Sequence, residues 1–141
     1  MPFAPDRMFD LVADVGAYPE FLPWCLATRI VGREGEAVML VEMEIGFKVI
    51  RERYLSRVEL RPPAEIAVTA AGSGPFRDLD TLWRFTPGRD GGTEVDFSIG
   101  FAFRSRLLQA VAGAVFGEAS RLMVGAFQRR AEALYGKEAI R

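Results

Sequence analysis

The stretch Glu94-Val95-Asp96-Phe97-Ser98-Ile99-Gly100-Phe101-Ala102-Phe103-Arg104-Ser105 decides the fold, because the period of the chain changes inside it. Val95, Phe97, Ile99, Phe101 and Phe103 alternate with Glu94, Asp96, Ser98, Gly100 and Ala102, the two-residue period of a strand with one apolar and one wetted face. After Ser105 the apolar residues return every three or four positions. Leu108, Val111, Val115, Leu122 and Ala126 form a stripe, with Met123, Phe127 and Leu134 beside it. Ser105 supplies an N-cap hydroxyl, and Tyr135-Gly136 ends the pattern. The predicted helix is about 31 residues long, roughly 46 Å at 1.5 Å per residue.

Working backward, period two dominates from Cys25 to Phe103. Phe76 to Thr86 puts Leu79, Trp83 and Phe85 on one face against Asp78, Asp80 and Arg84, and Glu65 to Ala71 is a shorter run. Ile50, Tyr54, Val58 and Leu60 oppose Arg51, Arg53, Arg57 and Glu59, while Met39, Val41, Met43 and Ile45 oppose Glu42 and Glu44. With Cys25 to Arg33, the count is six strands. The turns fall at Gly46-Phe47-Lys48, Pro62-Pro63, Gly72-Ser73-Gly74-Pro75 and Pro87 to Gly92. Such short connections imply an antiparallel meander. Ahead of it, Pro5 and Asp6 open a short helix that carries Met8, Phe9, Leu11 and Val12 inward and stops at Gly16; a second helical turn follows over Tyr18 to Leu22. The expected fold class is α+β, one curved antiparallel sheet crossed by one long helix, in a single domain over residues 1–141.

Composition narrows the chemistry. Lysine and arginine total 18 against 19 acidic residues, a net charge of −1, so no chain-wide attraction to DNA is expected. There is no histidine, which removes Ser-His-Asp and Cys-His catalysis and metal sites with imidazole ligands. The lone cysteine, Cys25, permits neither an intrachain disulfide nor a CxxC pair. No metal, no cofactor and no catalytic residue is expected. The uncharged run from Leu107 to Gly117 is shorter than the ~18 apolar residues of a membrane span. The first residues lack a secretory pattern, so a cytoplasmic location is expected.

Facing sheet and helix together, Met39, Met43, Tyr54, Trp83, Phe85, Phe97, Phe101 and Phe103 meet Leu108, Val111 and Val115. This list reads either as an ordinary core or as the wall of an apolar cavity. Gly113, Gly117 and Gly125 lower helix propensity, each by roughly 0.8–1 kcal/mol, and suggest close approach of a strand or a ligand. Glu52 falls in phase with Ile50, Tyr54 and Val58, which aims a carboxylate at the apolar face unless a bulge or the rim of the sheet returns it to water. An inward Glu52 is also the one candidate acid or base for a cyclase-like reaction. Arg51, Arg53 and Arg57 line the opposite face, either as a solvated strand surface or as a patch for RNA phosphates or acidic lipid head groups.

In the segment Tyr18-Pro19-Glu20-Phe21-Leu22-Pro23-Trp24-Cys25 two prolines fix the backbone while four large apolar groups, Tyr18, Phe21, Leu22 and Trp24, are presented, and it reads as a plug or a lid. Together with Tyr54-Leu55-Ser56-Arg57-Val58, Gly74-Pro75-Phe76-Arg77, Trp83-Arg84-Phe85 and Ala126-Phe127 through Tyr135-Gly136, it resembles the coenzyme Q-binding START-like family. The bacterial branch of that family is described as ribosome association toxins, within a wider polyketide cyclase and lipid-transport superfamily. The resemblance implies a helix-grip fold of START and Bet v 1 type with a hydrophobic tunnel for ubiquinone or a related polyprenyl lipid, and a non-catalytic role supporting quinone synthesis and respiratory electron transfer. It implies that Tyr18, Phe21, Leu22, Pro23 and Trp24 form the tunnel mouth, that Phe47, Tyr54, Trp83 and Phe85 line it, and that the large ribosomal subunit is an alternative partner. Phe97, Phe101, Leu108, Val111 and Val115 complete the expected lining. Peripheral contact with the inner membrane is a further expectation. Family members carry a strand before the first helix, whereas Met1 to Pro5 leads almost directly into it here, so the count of six strands is one short of seven, and either the start is trimmed or the sheet has an open edge.

Overall fold

The computed structural model describes residues 2–22, 24–47, 50–71, 74–88 and 91–136, apart from the side chains of Phe47, Ile50 and Val115. The turns expected at Lys48, Gly72-Ser73 and Arg89-Asp90 lie outside the described residues. Six antiparallel strands, β1 (Cys25–Glu34), β2 (Val38–Phe47), β3 (Ile50–Arg61), β4 (Glu65–Ala71), β5 (Phe76–Pro87) and β6 (Thr93–Phe103), pair in sequence order. The alternating pattern of β2 to β6 has placed their larger apolar residues on one concave face. Two inward rows cross the sheet residue by residue: Met39, Val58, Val68, Thr81 and Ile99, and beside it Leu60, Ile66, Trp83 and Phe97. At the tip between β1 and β2, Gly35 adopts φ +67°, a conformation that costs glycine nothing and a Cβ residue about 1 kcal/mol or more.

Among the described residues β1 and β6 are the sheet edges. Bulges between Cys25 and Ala27 and between Ile30 and Gly32 leave Leu26, Ile30 and Val31 exposed along β1. The first helix, α1 (Pro5–Ala13), buries Met8, Phe9, Leu11 and Val12 as expected. It ends earlier than Gly16, because the chain tightens into a 3₁₀ turn at Val15–Ala17 before α2 (Tyr18–Phe21). Thr28 Oγ1 donates to Val15 O at 2.9 Å and ties this turn to β1.

The long helix, α3 (Arg106–Tyr135), is capped by Ser105, whose side chain accepts from the Leu108 N–H at 3.3 Å. It is not straight: its limbs Arg106–Ala114 and Phe116–Tyr135 meet at 59°. No single helix among the described residues is long and apolar enough to cross a membrane. The face turned to the sheet differs from the expected stripe. Leu122 and Leu134 point outward, 38% and 49% exposed, while Ala112, Ala126, Phe127 and Ala131 are buried. The helix packs through these alanines together with Phe127, Met123, Leu108 and Val111. The glycines serve no close approach: a Cβ at Gly113 would meet nothing within 4 Å, and at Gly117 and Gly125 only the arginine side chain four residues on. Gly113 and Gly117 instead flank the bend, where glycine is a common cause of kinking.

Candidate ligand cavity

Alanines facing aromatics leave space where neither reaches. Between α3 and the concave sheet lies a cavity of about 260 Å³. The sheet contributes Met43, Tyr54, Leu79, Thr81, Trp83, Phe97, Ile99 and Phe101 to its wall, and α3 contributes Ala112, Phe116, Ala119, Ser120, Met123 and Phe127. Ring contacts hold this wall in place: Trp83 stands 4.4 Å from Phe97 and 5.2 Å from Phe127, Tyr54 4.9 Å from Phe76, and Phe101 5.5 Å from Phe116. Phe116 and Ile99, 39% and 36% exposed, are the most open of the lining residues, so an opening lies between β6 and the bend of α3.

The wall is apolar, and no lining residue among those described carries a charge. The Tyr18 hydroxyl donates to Val12 O, and the Tyr54 hydroxyl donates to Met43 Sδ at 3.4 Å. Burial raises both phenols above the usual tyrosine range, with a smaller contribution from the nearby Cys25 thiol, so both stay neutral at physiological pH. The same burial pushes the Cys25 thiol up to about 11, which leaves it a poor nucleophile. Glu52 does not line the cavity. The β2–β3 ladder runs without a register break, so it is the rim, where half-buried Glu52 sits opposite Ile45, and not a bulge that keeps the carboxylate out of the interior.

The model of the family described as polyketide cyclase / dehydrase and lipid transport matches residues 1–128. The chain belongs to that family. Among relatives within reach of it, the chain is 33% identical over 141 residues to the mitochondrial coenzyme Q-binding protein COQ10 homolog B of Xenopus laevis, covering 98% of this chain but 57% of that protein. It is 38% identical over 136 residues to the ribosome association toxin RatA of Rickettsia prowazekii, covering 94% and 91%. Solved structures share this START-like architecture. An aromatase/cyclase from a Streptomyces species superposes with a TM-score of 0.81 at 20% identity, covering 93% of this chain and 88% of that one. A START superfamily protein from Mycobacterium smegmatis gives 0.65 at 14%, covering 92% of each.

In this member of the polyketide cyclase / dehydrase and lipid transport family, the residues singled out by sequence fall into three groups. Tyr18, Leu22, Trp24, Tyr54, Trp83, Phe97 and Phe101 line the cavity. Among them Tyr18, Leu22 and Trp24 come from the segment expected to form the tunnel mouth, with Leu22 buried and Tyr18 and Trp24 half-buried. Phe21, Phe85, Leu108 and Val111 do not line it. Phe21 is held under the Arg130 guanidinium, 5.2 Å from its ring, and against Phe127; Phe85 is taken up by Phe9 at 6.0 Å; Leu108 and Val111 pack on the cluster of Phe76, Leu79 and Phe103. Pro23 lies outside the described residues, as do the side chains of Phe47 and Val115. Sequence reading passed over Thr81, Ile99, Phe116, Ala119 and Ser120. Ile99 was in phase with Phe97 and Phe101, but small and hydroxylic residues on α3 carry no periodic signal. Arg51, Arg53 and Arg57 form ion pairs with Glu44 and Glu34 at 3.2–3.6 Å, so the basic stripe is one half of a mixed-charge convex surface.

Proposed function

We propose that this protein is a non-catalytic carrier of a neutral, ring-headed apolar lipid of the quinone class. The observation that carries the reading is the charge-free aromatic cavity between helix and sheet. Its 260 Å³ lies just below the range of about 300–1,000 Å³ usual for ligand sites, which suits a compact head group whose tail leaves through the opening at Phe116 and Ile99. The similarity to a coenzyme Q-binding protein favours a quinone head, although the chain spans little more than half of that relative. The first limb of α3 supports loading at a membrane surface: Leu107 is 75% exposed, Ala110, Ala114 and Phe116 are exposed beside it, and Arg104 and Arg106 flank them. Lipid extraction of the purified protein followed by native mass spectrometry should recover a stoichiometric isoprenoid quinone. Protein that is empty and takes up no quinone from vesicles would end this reading.

A second reading, contact with the large ribosomal subunit, is favoured by the near-complete match to the ribosome association toxin relative. It expects co-sedimentation with that subunit, weakened by salt and by Arg51→Glu, Arg53→Glu and Arg57→Glu together. Co-sedimentation indifferent to all three would move the contact off the convex face.

A further inference from the structure

Among the described residues three serine and threonine side chains are buried: Ser56, Thr93 and Thr81, 0%, 4% and 7% exposed. Ser56 Oγ donates to Val41 O at 3.1 Å, and Thr93 Oγ1 donates to Phe3 O at 2.6 Å. Thr81, the one that lines the cavity, has no hydrogen-bond partner for its hydroxyl among the described residues. Its neighbours across the sheet are Val68 and Ile99, both apolar and both on the cavity wall. A hydroxyl without a protein partner must draw its hydrogen bond from whatever fills the space beside it, a cost that valine at the same place would not carry.

The open space around this hydroxyl shows what could relieve that cost. Among the described residues Arg130 Nε is the only fully sealed side-chain nitrogen or oxygen without a partner. The Thr81 hydroxyl therefore keeps access to open space, and the space Thr81 lines is the cavity. The indole N–H of Trp83 is in the same position: Trp83 lines the cavity, is 9% exposed, and has no hydrogen bond among the described residues. Thr81 and Trp83 sit two apart on one face of β5, about 6.6 Å along the strand.

We infer that Thr81 and Trp83 form the polar anchor of the cavity, and that the guest is a neutral apolar molecule bringing a carbonyl-type oxygen to them. The inference rests on the carrier reading and sharpens it. An indole N–H only donates, so its partner must accept. An anionic head group is disfavoured, since no cation lines the cavity to offset its desolvation. The two phenols already donate, to Val12 O and Met43 Sδ, and Ser120 on α3 is only half-buried, which leaves the buried pair on β5 as the place where an incoming oxygen gains most.

The test uses two probes of similar shape, menadione with its two carbonyl oxygens and 2-methylnaphthalene with none, titrated calorimetrically into the full chain and into Thr81→Val and Thr81→Ser. Thr81→Val should weaken menadione about five- to tenfold, leave 2-methylnaphthalene unchanged or tighter, and keep or raise the melting temperature of the empty protein. Thr81→Ser should retain menadione. Equal menadione affinity in wild type and Thr81→Val would overturn the anchor while leaving the carrier reading intact. A lower melting temperature of empty Thr81→Val would show that the hydroxyl has a partner within the protein, and would overturn it as well. Wild-type protein that binds neither probe removes the anchor and the carrier together.

Discussion

The two ends of the helix–sheet layer are built from the same elements and packed in opposite ways. At the end covered by α1 and the last turns of α3, Phe3, Met8, Phe9, Phe85 and Ala131 are 0–7% exposed and interlock in one cluster. At the other end the first limb of α3 lies over Phe76, Leu79 and Phe103 with Ala112 as its buried contact, while Leu107, Phe116 and Ile99 stay in solvent. One end has side-chain volume to spare and the other lacks it. A sheet this curved is filled only where a second element brings large side chains, and the cavity lies where the helix brings alanine and serine instead.

Truncation should separate the ends most sharply. Phe9→Ala removes a ring packed against Phe85 and should lower stability by about 3–5 kcal/mol in urea unfolding, whereas Phe116→Ala should lower it by less than about 1 kcal/mol. Equal losses would mean that the open end is as tightly packed as the sealed one. The next effect reverses the sign of the change. Ala119→Phe adds a ring to the cavity wall and should reduce affinity for a bound quinone at least tenfold with little change in unfolding midpoint; unimpaired binding would place the ligand elsewhere.

Alkaline pH probes the cavity wall. The folded state holds the Cys25 proton to about 11, against 9.0 ordinarily, and holds the protons of Tyr18 and Tyr54 above their usual range. The unfolded chain releases these protons first, so the stability they contribute is intact below about pH 9 and is lost as pH rises through the folded values. Urea midpoints should fall from pH 9 toward pH 11, and Tyr54→Phe should flatten the slope; a flat wild-type profile would show that the three groups are solvated. The smallest expected effect concerns the bend. Gly113→Ala meets open space and should stabilise by about 0.5–1 kcal/mol if the bend tolerates it. A loss would show that the glycine's freedom sustains the bend.

Much of the fold was legible in the sequence because strand and helix periods are local. The alternation of Val95 to Phe103, the Ser105 cap and the six-strand count survive unchanged in the structure. The wall of the cavity was legible only in part. Tyr54, Trp83, Phe97 and Phe101 announce themselves as inward aromatics, but Phe85 shares their phase and belongs to the sealed end, since alternation assigns a face and not a position along it. The stripe expected for α3 holds at Ala126 and Phe127 but erred at Leu122 and Leu134, which face solvent, and missed Ala112 and Ala131, because size was weighed above position around the helix.

By itself the amino-acid sequence determined the element order, the inward faces and the absence of imidazole chemistry, all properties of residue type and spacing. Only the tertiary structure decided that α3 bends, that its alanines leave a space opposite the strand aromatics, and that Thr81 meets that space without a partner. A void is a relation between surfaces distant in sequence, and no local pattern encodes what two layers fail to fill.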